Sequence, residues 1–382
     1  MRQQYEPSAD RIIALYQQLE DDILSAVIRR ILKMGYVSEA SKHQLGVLQA
    51  AGLLYDDIVQ LIADRTDACT AQVKALFEDA GVQTVEMDNS LHEAAGALPI
   101  DIRQDSSTRQ VLEAGYKKTL GTMQNLVSTT ATQTQTAFIQ TCDRIYMQVS
   151  SGAFSYQEAI MNALRALADT GATVSYPTGH TDRMDVAVRQ CVLTGVSQTA
   201  AAVSLRQAED AGCYLMEITA HSGARPDHAK LQGQLVTITG KDAGKIIDGL
   251  RVFTLSEIGY GSGEGFKGWN CRHNWHAYYP GFSTPNYTPE ELKKLDEPCI
   301  SYNGKLYTEY EVSQMQRAQE RRVRAWKRRC ITAQESVNSA TDEATRATAQ
   351  AEFDRSARYL KTNEAKLKDF CRQTGQDHDR FR

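Results

Sequence analysis

Residues 213–239 read CYLMEITAHSGARPDHAKLQGQLVTIT, and here the chain changes character. CYLMEITAH and GQLVTIT are short segments rich in apolar and β-branched residues, joined by a stretch holding Gly223 and Pro226. That is the pattern of two strands around a connection. Downstream, RVFTL (251–255) and RHNWHAYYP (272–280) continue it, with the glycine-rich GYGSGEGFKG (259–268) between them. Its glycines at 259, 261, 263, 265 and 268 lack the spacing of a phosphate-cradling loop, so it reads as a loop feeding a strand.

On either side of this region the periodicity is helical. Ile12, Leu15, Tyr16, Leu19, Ile23, Val27 and Ile31 recur at three- and four-residue intervals, predicting an amphipathic helix from Ser8, its N-cap, to about Lys33, with Gly35 as the stop. VSEASKHQLGVLQAAG and LYDDIVQLIADRT read as shorter helices broken at Gly52. Further helices are expected at 107–147, 155–170 and 182–211, the last capped by Thr181 or Asp182 and striped by Met184, Val188, Val192, Val196, Thr199 and Val203. CISYNGKLYT (299–308) reads as a pair of strands, and helical pattern resumes from Glu309 to about Arg372. The expected fold class is α+β, predominantly α-helical. Its domains are a helical 1–174, an α+β module at 175–308 packed on the 182–211 helix, and a helical 309–382.

Composition narrows the function. With 382 residues, 43 Lys+Arg and 47 Asp+Glu, the net charge is −4, so no global field draws the chain to nucleic acid or an anionic membrane. The N-terminal stretch lacks the apolar core of a signal peptide, and no apolar run approaches the ~18 residues that span a bilayer, so no membrane partner is expected. Eight cysteines are scattered singly, without a C-x-x-C pair, as buried reduced residues would be. The one local charge feature is 317–329, with seven Arg/Lys (Arg317, Arg321, Arg322, Arg324, Lys327, Arg328, Arg329) against Glu320. It reads as a solvated helix face or as a contact for double-stranded DNA or a partner.

The chemistry-bearing residues cluster in two places. His221 and His228 flank the first turn, and GWNCRHNWH (268–276) holds Cys271, His273 and His276. These are good zinc ligands, and the one-residue spacing of Cys271 and His273 puts both on the same face of a strand. Four nitrogen or sulfur ligands would close a structural site, whereas three with an open position would make a catalytic one. The other reading needs no metal: the histidines bond backbone of the glycine-rich loop, and Arg225 and Arg272 pair with carboxylates. No G-x-S-x-G, H-E-x-x-H or Walker pattern is present. Glu217, Asp227 and Glu264 are too loosely placed to assign as a catalytic pair.

The ordered blocks VAVRQCVLTGVSQTAA, ITAHSGARPDHAKLQGQ, GYGSGEGFKGWNCRHNWHAYYPGFS and YEVSQMQRAQERRVRAWKR resemble the phage minor capsid protein 2 family, within the wider group of Mu-type head-morphogenesis proteins. The resemblance implies a minor structural protein of a tailed-phage or prophage head. Such a protein is made in the bacterial cytoplasm and carried in the virion near the portal vertex, with portal and other capsid proteins as partners. The family's motif falls on His221, Gly223, Ala224, Arg225, Pro226, His228, Gln232, Gly233, Asn270, Cys271, Arg272 and His273. The wider group tends to end its last block in Cys-Arg-Cys where this chain has Cys-Arg-His, a swap between residues that share metal binding. Zinc at His221, His228, Cys271 and His273 is the cofactor this implies. The alternative function is a metal-dependent nuclease or transferase delivered with the genome.

Overall fold

In the computed structural model, residues 2–102 and 104–378 are described. The helices are α1 (Arg2–Met34), α2 (Ala40–Ala94), α3 (Ser106–Ser150), α4 (Tyr156–Thr170), α5 (Met184–Asp210), α6 (Pro226–Ala229), α7 (Pro289–Leu295), α8 (Glu309–Ser339) and α9 (Glu343–Thr374). The strands are β1 (Thr173–Ser175), β2 (Thr181–Arg183), β3 (Leu215–Ile218), β4 (Leu235–Thr237), β5 (Ile246–Ile247), β6 (Leu250–Thr254), β7 (Trp275–Tyr278), β8 (Ile300–Tyr302) and β9 (Lys305–Tyr307). The fold is α+β and predominantly helical, as the sequence predicts.

Contacts divide the chain into two units. One joins the stretch ending at Ala9 with Thr70–Thr122 and Gln190–Gln314. Its sheet has the order β5-β6-β4-β3-β7, in which β4 and β6 are parallel and the other pairs antiparallel. Alternation along β3 and β7 gives the sheet two faces. Met216, Ile218, Trp275 and Ala277 pack on Ala201 and Ala208 of α5, while Leu215, Leu235, Val252 and Tyr278 form a second cluster. α5 in turn crosses α3 closely. A Cβ on Gly195 would run into Thr119, and one on Gly115 into Thr199. All six residues of the predicted α5 stripe are buried.

The other unit joins Asp10–Cys69, Met123–Arg189 and Met315–Arg382. Ile12, Tyr16, Leu19, Ile23, Val27 and Ile31 are buried, so the predicted stripe of α1 is its core face. α4 opens with a capping box between Ser155 and Glu158 and stops at Gly171, whose φ is +72°. Trp326 of α8 stacks on Tyr359 of α9, with ring centroids 4.6 Å apart.

Several expectations need correction. α1 begins at Arg2 rather than at Ser8. α2 is one helix of 55 residues that runs straight through Gly52, because Val47, Ala51, Leu54 and Ile58 keep a buried row on both sides of it. A single glycine costs a helix only about 1 kcal/mol, which such a row outweighs. Thr181–Arg183 is not a helix cap but β2, paired with β1 in a short hairpin. The expectation of no bilayer-length apolar stretch is also too strict. α2 is long and apolar enough, by length and composition alone, to cross a membrane. It leaves Leu45, Leu48 and Leu53 more than half exposed.

Candidate metal centre

The two halves of the signature meet because β3 and β7 pair antiparallel, Ile218 opposite Trp275. Thr219 and Asn274 extend the pairing by one step: the Thr219 N–H donates to the Asn274 carbonyl, and the Asn274 N–H donates to Thr219 Oγ1, at 2.9 and 2.8 Å. Cys271 and His273 therefore sit just ahead of β7 rather than on a strand, as RHNWHAYYP suggests. Asn270, with φ +57°, makes the turn that leads into them. His228 arrives on α6, a single turn with Pro226 at its start.

His228, Cys271 and His273 are all buried, and each offers a ligand atom within 4.8 Å of the others. Cys271 Sγ lies 3.6 Å from His273 Nδ1. His221 does not join this trio. Its ring leans on that of His273, 4.4 Å between centroids, and its Nδ1 lies 2.8 Å from the Ser222 carbonyl oxygen. His276 belongs elsewhere: its Nε2 is 3.3 Å from Glu217 Oε2 and 2.7 Å from Asn286 Nδ2. That buried carboxylate, which also accepts from the Asn286 N–H, ties the loop after β7 to the sheet. Nothing in the spacing of Glu217, His276 and Asn286 announces this network, although the alternation of β3 and β7 puts the first two opposite each other.

The remaining motif residues surround the trio. Gln232 Oε1 accepts from the His221 backbone N–H at 2.7 Å and lies 3.2 Å from His273 Nε2. Arg225 Nη2 reaches both His228 Nε2, at 2.8 Å, and the carbonyl oxygen of Glu264. Gly233 (φ +68°) donates its N–H to the Ile218 carbonyl at 2.9 Å, closing the 221–234 segment back on β3. A Cβ on Gly223 would press on Glu309 Cγ at 2.9 Å. Ala224 is buried, and Arg272 is half-buried. The motif is thus largely the architecture that positions three side chains.

Electrostatics set the cluster apart. Burial, with His221, His228, Lys267 and Arg225 nearby, pushes the His273 imidazole down to about 2, so the ring is neutral. Although burial raises a thiol, the hydrogen bond from His228 holds Cys271 below the usual range, and the same bond raises His228.

The basic run is mostly internal. Arg324 donates to Glu20 at 2.6 Å and to Asp21 at 3.1 Å, and fully buried Arg328 donates its Nε–H to the Ala168 carbonyl at 2.9 Å. Arg329 grips Asp169 with two bonds of 2.7 Å and lies over Trp326. Arg317 and Lys327 are half-buried, which leaves Arg321 and Arg322 as the exposed cations of the run. The density of charge along 317–329 reflects ion pairing inside one unit more than a surface patch.

The comparisons agree with the motif. Residues 2–372 match the family model described as phage minor capsid protein 2. A structural protein of Lactococcus phage LL-H is 24% identical over 343 residues, covering 87% of this chain and 88% of that protein. A structural protein of Lactococcus phage mv4 is 36% identical over 86 residues, or 22% of this chain and 61% of that protein. No solved structure matches. A family match over nearly the whole length, with its motif folded into one place, means that the chain belongs to the phage minor capsid protein 2 family.

Proposed function

We propose that the protein is a non-catalytic minor component of a tailed-phage head, acting in capsid assembly at the portal vertex with the portal protein as its partner. The observation that carries this reading is the family match from residue 2 to 372, which leaves little chain outside the structural-protein family. α2 supports it. Leu45, Leu48, Leu53 and Val59 stand exposed on one helix while Val47, Leu54 and Ile58 are buried on its other side. A long helix with a second apolar row gains most from a partner helix, and portal assemblies are the expected source of one. Packaged DNA would meet Arg321 and Arg322, the exposed cations of α8. The burial of His228, Cys271 and His273 favours a fold-holding role over nuclease or transferase chemistry.

The test is a mass-spectrometric inventory of purified particles, coupled to co-purification with the portal protein. Wild type is expected in the particle at low copy, and the double change Leu48→Glu, Leu53→Glu is expected to lose portal binding while keeping its melting temperature. Absence of the wild-type protein from particles would reject the reading. Retained portal binding in the double variant would move the contact off α2.

A further inference from the structure

We propose that His228, Cys271 and His273 bind one zinc ion, which locks the 221–234 segment to the start of β7. The argument begins with distance. Zinc–sulfur and zinc–nitrogen bonds of about 2.3 and 2.0–2.1 Å at a tetrahedral angle put the two ligand atoms about 3.6 Å apart. Cys271 Sγ and His273 Nδ1 are 3.6 Å apart, and a third ligand atom from His228 lies within 4.8 Å of both.

Proton placement agrees. Gln232 accepts from the His221 backbone N–H, which identifies the contacting atom as the amide oxygen. The same oxygen lies 3.2 Å from His273 Nε2, so Nε2 carries the ring proton and donates to it. Nδ1 then presents a lone pair, on the side where Cys271 lies. An outer partner that fixes the tautomer and aim of a ligating histidine is a regular feature of zinc sites. The Glu264 carbonyl oxygen, itself anchored by Arg225, lies 3.0 Å from His228 Nε2 and serves that ring in the same way when Nε2 carries the proton.

The donor set selects the metal. One thiolate and two imidazoles suit zinc rather than magnesium or calcium, which prefer oxygen. On binding, the Cys271 thiol proton passes to solvent and the sulfur bonds the ion as thiolate. Three protein ligands leave the fourth position to water, but all three are buried and Cys271 belongs to the apolar cluster with Phe266 and Trp275, so the ion would hold the fold, and chelation should loosen the module. His221 supplies no ligand in this arrangement. Gln232 is a positioning residue.

The experiment uses full-length protein, metal-analysed and then reconstituted with zinc or cobalt. Expected results are one zinc per chain, a thiolate-to-cobalt charge-transfer band in the near ultraviolet, and a fall in melting temperature on chelation that zinc reverses. Cys271→Ser should abolish the band, while His221→Ala and His276→Ala should keep the full zinc content. Gln232→Glu, which keeps the acceptor, should retain more zinc than Gln232→Leu. Folded wild type that takes up no zinc, or a cobalt spectrum without the thiolate band, overturns the proposal without reference to any variant. Zinc content unchanged in Cys271→Ser overturns it as well, and loss of zinc in His221→Ala overturns the three-ligand assignment.

Discussion

At the scale of single residues, buried charge is where this protein is most exposed to perturbation. Glu20, Arg324 and Arg328 are buried together, and burial pushes the Glu20 carboxyl up while both guanidiniums pull it down. Removing Arg324 takes away the closest cation of buried Glu20 and leaves Arg328 at 3.8 Å as its counter-charge, at a cost of up to about 3–5 kcal/mol. Arg324→Ala is therefore expected to cost that much in urea unfolding, and Arg321→Ala less than about 0.5 kcal/mol. Asp88 behaves differently. Its Oδ2 accepts from Ser204 at 2.5 Å, but burial pushes its carboxyl up to about 6 against that bond and the charges of His276 and Lys267. The folded state then holds a proton that the unfolded state releases near 4, so stability falls as pH rises from about 4 to 6. Asp88→Asn should flatten that slope in thermal melts and raise the melting temperature at pH 7. His43 has the opposite sign. Its ring is buried against Tyr146 and burial lowers its pKa, so its contribution is full at neutral pH and lost on acidification below about 6.5.

At the scale of elements, legibility follows locality. The stripes of α1 and α5, the capping box of α4 and the switch to β structure near Cys213 can be read because their signals lie within one element. Gly52 misleads because a local breaker carries no mark of the tertiary row that overrides it. The run at 317–329 misleads for a related reason: the carboxylate that neutralises Arg324 lies 304 residues away. The buried trio of His228, Cys271 and His273 is half legible. Residue type nominates Cys271, His273 and His228 together with His221 and His276, and only the folded geometry separates the trio from the other two. Two glycines test the element-level account. Gly52 is in mid-helix and exposed, with open space where a methyl group would sit, so Gly52→Ala should stabilise by about 0.5–1 kcal/mol. Gly195→Ala, which would collide with Thr119 where α5 crosses α3, should destabilise by about 1–3 kcal/mol in the same assay.

At the scale of the whole molecule, the family can be read from four ordered blocks, while the way the chain is partitioned cannot. Each unit is stitched from separate stretches, and the one holding most of α1 takes in residues from Met315 onward to complete itself. A fragment ending at Gln314 is expected to keep the α+β unit, with protected amides in β3 and β7 by hydrogen exchange, while amides of α1 exchange freely. The interval matters on the ribosome. At about 5–20 residues per second, some 15–60 s separates the emergence of Glu20 from that of Arg324. Throughout that time the apolar stripe of α1 lacks the helix that completes its unit, and exposed apolar surface of this kind is prone to aggregation. The yield of folded protein would then depend on how well the unfinished chain is sheltered, as much as on how fast it is translated.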